Sequence, residues 1–204
     1  MHRSRVPHRR SLAAAAMVMG LTAIAACGSA AGSHTPSPAS GSSQATAANK
    51  FKTTLFDVTI PAGWTETTTD QDAVKAVNVS GSLQMLLMAP LAGATVNGEH
   101  IDVSTVSQPV PDDQLAAYLQ SVAQNGATSV STPQPFQLVG TTGLFVTYNI
   151  NVPATPPAHP AVLKVQDMLV NHGQTYEIVL NTGQADFDRQ AKALQQMLAS
   201  WRWH

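Results

Sequence analysis

An α+β fold, an antiparallel sheet flanked by helices, is predicted for this chain of 204 residues by three observations. Short apolar stretches alternate with period two and end in Gly- or Pro-containing turns. Only one central and one terminal segment switch to helical spacing. The strand-like segments mostly follow one another directly, as hairpins require, instead of interleaving with helices as a parallel sheet does.

In chain order, Leu55–Ile60 alternates Phe56, Val58 and Ile60 against Leu55, Asp57 and Thr59, which predicts a strand. Pro61-Ala62-Gly63-Trp64 closes it with a turn and a Trp able to fold back over the strand end. Ala73–Val79 reads as a second alternating strand, and Ser80-Gly81-Ser82 as a tight turn. Leu83–Ala89 is nearly all apolar, a buried central strand. Asn97-Gly98 carries the signature of a type I′ hairpin turn, and Ile101, Val103 and Val106 continue beyond it. At Pro111-Asp112-Asp113 the period changes. Pro at the start and acids in the first turn open a helix, with Leu115, Tyr118, Leu119 and Val122 on one face and Asn125-Gly126 closing it. Val130–Leu138, interrupted by Pro133 and Pro135, is an edge strand or extended loop. Gly143–Val152 is a strand, and Pro153–Pro160, with four prolines, a stiff loop that docks a partner or covers a sheet end. Val162–Val170 and Thr175–Leu180 make a hairpin about His172-Gly173. The closing helix repeats Phe187, Ala191, Leu194, Leu198 and Trp201 on one face, with Asp188, Gln190, Lys192 and Gln195 away from it and Thr182 or Asp186 at its cap. Trp64, Phe187, Leu194, Leu198 and Trp201 are the expected structural core. Covering Trp201 removes about 150–250 Å² from water, or about 4–6 kcal/mol by area.

The chain divides into three parts. Residues 1–26 carry Arg3, Arg5, Arg9 and Arg10 and then an apolar run, the pattern of a secretory signal too short to span a bilayer. Ile24-Ala25-Ala26-Cys27 resembles the lipobox of bacterial lipoproteins. That resemblance implies cleavage between Ala26 and Cys27 and diacylation of the Cys27 sulfur. Two or three acyl chains, at about 0.8 kcal/mol per buried CH₂, hold a protein stably on a membrane. The competing reading is cleavage by an ordinary signal peptidase that leaves Cys27 a stray thiol. Cys27 is the only Cys in the chain, which favours the anchor and removes any intramolecular disulfide. Arg9-Arg10-Ser11-Leu12 loosely resembles a twin-arginine signal, so general secretion and twin-arginine export both stay open. Residues 27–50 follow the lipid site with Ser, Thr, Ala, Gly and Pro and lack apolar periodicity, so they predict a disordered tether. A coil of 23 residues spans about 25–30 Å. Its Thr35-Pro36-Ser37-Pro38 run is either O-glycosylated or a bare spacer. Residues 51–204 are the globular domain.

Beyond Cys27 the chain has seven Lys and Arg against twelve Asp and Glu, a formal charge of −5. That balance argues against nucleic acid, and against a basic patch holding the body on anionic lipid. Nucleophile-elbow and phosphate-loop motifs are absent from the sequence. His34, His100, His159, His172 and His204 are scattered without metal-ligand spacing, and Met85 and Met88 fall on opposite sides of a strand. No metal or cofactor is expected. Asp112-Asp113 is explained by helix electrostatics and not by a cation, and Asn78-Val79-Ser80 by a strand and not by glycosylation.

Two stretches carry a resemblance. Phe56–Trp64 resembles the opening strand and Trp of PsbP-like domains, and Tyr176–Leu180 with the helix into Trp201 resembles their last strand and closing helix. The element order and the lipobox are also similar to those of the actinobacterial LpqN-type lipoproteins. The resemblance implies a PsbP-like α/β/α sandwich over 51–204 and a non-enzymatic binding or accessory role. It supplies no catalytic residues. The expected function is therefore a membrane-anchored cell-envelope lipoprotein, lipid-held on the extracytoplasmic face, that binds an envelope protein or an apolar small ligand. The alternative is an envelope hydrolase whose His100, His159 or His172 meets a Ser or Thr hydroxyl in space.

Overall fold

The computed structural model describes residues 49–77, 81–92, 94–96, 98–124, 126–153 and 161–204. Their elements are β1 (Lys50–Lys52), β2 (Phe56–Thr59), β3 (Thr65–Glu66), α1 (Gln71–Val77), β4 (Ser82–Met88), β5 (His100–Thr105), a 3₁₀ turn (Asp112–Gln114) leading into α2 (Leu115–Ala123), β6 (Ala127–Thr128), β7 (Gln134–Leu138), β8 (Thr141–Val152), β9 (Ala161–His172), β10 (Gln174–Gly183), α3 (Phe187–Ala199) and β11 (Arg202–Trp203). The main sheet runs β3-β4-β5-β10-β9-β8-β6, with β7 also on β8, and the pairings are antiparallel. A small second sheet runs β1-β2-β11. The predicted α+β class with a helix-flanked antiparallel sheet is the observed one.

One core lies between the main sheet and the small sheet with α3. Phe56 and Val58 point into it from β2, Met85 and Leu87 from β4, Ile101 and Val103 from β5, Met168 and Val170 from β9, and Tyr176, Ile178 and Leu180 from β10. Trp201 stacks on Phe56 at 4.3 Å between ring centroids and is fully buried. A smaller core lies on the other face, where Leu115, Leu119 and Ala123 of α2 pack on Val146, Tyr148, Val165 and Leu169. The β9–β10 hairpin turns at Gly173, whose φ of 71° is the left-handed conformation a glycine reaches without strain.

Several expectations need correction. Residues 71–77 are helical and not a strand. The Asp70 carboxylate accepts the backbone N–H of Asp72 and of Ala73, a helix start no strand can use, and none of the α1 side chains is buried to reward an extended form. Strand β4 is next to the edge and not central, because β3 is only two residues long. Instead of a two-residue turn at Asn97-Gly98, residues 89–99 join β4 to β5. Gly98 has a φ of 83°, and Asn97 lies outside the described residues. Val106 falls just past β5, though its N–H still donates to Thr175 O. In α2 the buried stripe is Leu115, Leu119 and Ala123, with Tyr118 and Val122 half-buried beside it. Gln190, expected on the solvent side of α3, is buried, and Met197 is buried too, while Ala191 and Leu198 are partly buried against the same core. Trp201 lies past the end of α3, just before the unpredicted strand β11. Asp186 stands at the N-cap position of α3, but its side chain makes no cap hydrogen bond.

Candidate functional site

The face of the main sheet turned from α3 is laid out in rows by the strand register. Met88, His100, Asn181, Val165 and Tyr148 form one row, and Leu86, Asp102, Val179, Asp167 and Val146 the next. Ser104, Glu177, Leu169 and Leu144 follow. The β8–β9 half of this face is apolar and lies under α2. The β5–β10 half buries His100, Asp102, Ser104 and Glu177, with Asp167 beside them on β9. Removal from water, and then the Glu177 carboxylate beside it, push Asp102 well above the usual carboxylate range. Burial lowers His100, against the Gly98 carbonyl, which accepts from Nδ1 at 2.7 Å. His100 Nε2 faces Asp102 Oδ1 at 3.6 Å, and both shifts favour the uncharged forms. Among the described residues no three His, Cys, Asp or Glu converge as metal ligands.

A cleft of about 440 Å³ opens at the β3–β4 end of the sheet. Its walls are Thr65, Thr67, Met88, Ala89, Pro90, Leu91, Ala94, Val96, Gly98 and Glu99. Leu91 stands at its rim, 79% exposed. Val96 also lines a second cleft of about 480 Å³ with Thr95, Val162 and Gln184, so residues 94–96 stand between the two. That wall is pinned to the start of α3. Glu99 Oε1 accepts the Gly183 N–H at 3.0 Å and Oε2 accepts Gln190 Nε2 at 2.8 Å. Asp186 Oδ2 accepts the Thr95 N–H at 2.7 Å and Oδ1 accepts Arg189 Nη2 at 2.6 Å. The Thr95 contacts, then Arg189 and Glu99, hold Asp186 far below the usual carboxylate range. Gly183 is required here, because a Cβ would run into the Thr95 hydroxyl. The Glu99 carboxylate is thus occupied on both oxygens, while the Thr67 hydroxyl in the cleft wall is buried with no hydrogen-bond partner. The lining is mostly apolar, with Thr65 and Thr67 as its hydroxyl-bearing residues.

The expected core residues Trp64, Phe187, Leu194 and Trp201 are buried together, with Leu198 at the margin. Met85 is core and Met88 faces the cleft. His100 meets a carbonyl and a carboxylate. His172 stacks on Trp203 at 4.4 Å, and His204 Nε2 lies 3.0 Å from Asp57 Oδ1. Neither His100 nor His172 has a Ser or Thr hydroxyl as partner. Asp112 Oδ1 accepts Asn171 Nδ2 at 2.6 Å, which ties the turn before α2 to β9. Ala26, Cys27, His34, Asn78, Asn125, His159 and the proline loop at 154–160 lie outside the described residues. Sequence reading missed Glu99, Gln190, Thr95 and the cleft. Their signal is contact between positions 91 residues apart, which no local pattern carries.

No protein-family model matches the chain, and no curated protein matches it. Solved structures do. The α+β sandwich is shared with LpqN of Mycobacterium tuberculosis, described as involved in cell envelope biogenesis, at a TM-score of 0.51 and 8% identity over 78% of this chain and 87% of that one. The chain has the LpqN fold, as the resemblance of its element order implied. Cyanobacterial PsbP from Synechocystis aligns at a TM-score of 0.47 and 12% identity over 79% of this chain and 96% of that one. A variant of the protein Mog1 aligns at 0.43 and 14% over 76% and 95%.

Proposed function

We propose that the chain is a cell-envelope lipoprotein, cut after Ala26 and held on the outer face of the membrane by lipid on Cys27, whose domain binds and does not catalyse. The observation that carries the binding reading is the cleft beside β3 and β4. Its lining is mostly apolar with Thr65 and Thr67 among it, its one carboxylate is committed on both oxygens to Gly183 and Gln190, and no described His is set against a hydroxyl. A site so built holds an apolar ligand and has no free base to activate a nucleophile. The LpqN fold supports an envelope setting, as does the leader with its terminal Cys. Among the described residues no helix is long and apolar enough to cross a membrane; in this reading the attachment is the lipid on Cys27.

The test is mass spectrometry of the protein purified from cells, beside Ala94→Trp, which lays an indole across the cleft. A co-purifying apolar molecule with the parent chain, lost in Ala94→Trp, is the expected result. The same molecule retained by the variant would place binding elsewhere, and a reproducible protein partner in its stead would favour protein binding. For the anchor, Cys27→Ser should leave the membrane fraction. Retention there would overturn the lipid reading.

A further inference from the structure

The formal charge of −5 beyond Cys27 conceals a segregation. Only seven Lys and Arg remain in that part of the chain, and Lys50, Lys52 and Arg202 all stand on the nine strand residues of the small sheet. Elsewhere, Lys164 lies over the Phe187 ring and Arg189 is paired with Asp186. The small sheet has two faces by its register. Phe51, Phe56, Val58 and Trp203 point inward to the core. Lys50, Lys52, Asp57, Thr59, Arg202 and His204 alternate with them on the outside. Lys52, Asp57 and Arg202 form a single cross-strand row. Asp57 is the one acidic side chain among the described residues of this face, shared by Lys52 at 3.9 Å and His204 at 3.0 Å. Arg202 spends one guanidinium donor on Trp201 O and has four left.

We propose that this outer face is a membrane-contacting surface that lays the domain on anionic lipid headgroups. Three fixed cations spread over a strand face suit a flat array of phosphates. The face offers no Phe, Tyr or Trp ring on which a nucleic-acid base can stack. Strand β1 is the first described element after the segment that bears Cys27, so Lys50 and Lys52 follow the tether directly, and β2 brings Arg202 beside them. The tether makes the encounter intramolecular, so modest attraction suffices to change the height of the domain. The inference takes the anchored chain proposed above as its setting.

The test uses the full lipidated protein in vesicles of phosphatidylcholine alone or mixed with phosphatidylglycerol. The readout is energy transfer from tryptophan to a dansyl probe on the lipid headgroup. Transfer should be higher in the phosphatidylglycerol vesicles and fall to the phosphatidylcholine level in ~1 M salt, where the screening length is about 3 Å. The triple change Lys50→Ser, Lys52→Ser and Arg202→Ser should abolish the difference, each cation contributing about fivefold to association. Lys50→Arg with Lys52→Arg should keep it, as should Lys75→Ser with Lys192→Ser. Equal transfer in the two lipids, or a loss in the Lys75 and Lys192 variant as large as in the triple one, overturns the proposal. So does capture by polyglutamate resin without any response to phosphatidylglycerol, which would assign the face to an acidic protein. Failure of the protein to float with phosphatidylcholine vesicles sinks the lipid anchor instead, and leaves the phosphatidylglycerol comparison readable.

Discussion

The two faces of the main sheet are built from opposite materials. The face under α3 and the small sheet is apolar and aromatic: Phe56, Tyr176, Trp201 and Trp203 lie in a connected ring cluster, with Trp201 and Trp203 at 5.0 Å and Tyr176 and Trp203 at 4.9 Å. The other face is split between an apolar half under α2 and a half carrying buried His100, Asp102, Ser104 and Glu177. Burying rings stabilises a fold outright, whereas burying a carboxylate costs stability unless the group is paired or protonated. The first face therefore supplies the larger apolar core, and the second face divides its burial between a smaller apolar core and polar groups.

The most damaging single change should fall on the first face. Trp201→Ala removes a fully buried indole stacked on Phe56 and should cost about 3–5 kcal/mol, read as a lower midpoint in chemical denaturation. Leu194→Ala, central in α3 and also buried, should cost about 2–5 kcal/mol, whereas exposed Gln195→Ala beside it stays within about 0.5 kcal/mol. Equal midpoints for the last two would mean that α3 is not packed as described. Leu119→Ala probes the smaller core. It should destabilise by about 2–3 kcal/mol, with faster amide exchange in α2 and β8 and little change in α3. Exchange rising equally under both helices would mean that the two cores are one cooperative unit, and the contrast between the faces would lose its force.

A smaller effect is expected where the cleft wall meets α3. Gln190→Ala leaves Glu99 Oε2 buried without its donor and should cost about 1–3 kcal/mol. Asp186→Asn tests the same wall by pH. The folded carboxyl is held far below its unfolded value, so its contribution is present above an unfolded pKa of about 3.9 and is lost as pH falls toward the folded one. The variant should be less stable at neutral pH and show a flatter acid limb. A parent acid limb as flat as the variant's would mean that Asp186 does not hold the 94–96 segment.

Strand β2 was legible because its buried face imposes period two, with Phe56 and Val58 in and Asp57 and Thr59 out, and the β9–β10 hairpin because two apolar runs flank His172-Gly173. Trp201 was legible as the end of a helical stripe. Strand β11 was not, because two residues carry no period and its partner β2 lies at the opposite end of the chain. Helix α1 was misread because Val77 and Val79 mimic strand alternation, while the deciding group, the Asp70 carboxylate, precedes the segment. Gln190 was misplaced because an amide in a helix is normally solvated, and only the Glu99 carboxylate across the cleft wall makes burial tolerable. The cationic outer face of the small sheet escaped a net-charge argument because a sum holds no positions.

Asp102→Asn should give the smallest change near pH 4, and the sign of its effect at higher pH separates the faces most directly. Burial and Glu177 raise the folded carboxyl above its unfolded value. Between those two values the native chain holds the proton that the unfolded chain has released, so stability falls as pH rises through that window. The asparagine has no proton to lose. Near pH 4, close to the unfolded pKa, parent and variant should agree within about 0.5 kcal/mol, because a protonated carboxyl and a primary amide have nearly the same shape. As pH rises the parent weakens while the variant does not, so the difference grows in favour of Asp102→Asn. Denaturation midpoints measured across this range check it. A variant less stable than the parent at neutral pH would show that the Asp102 charge is satisfied in place, and the polar half of the second face would then contribute to stability as the aromatic face does.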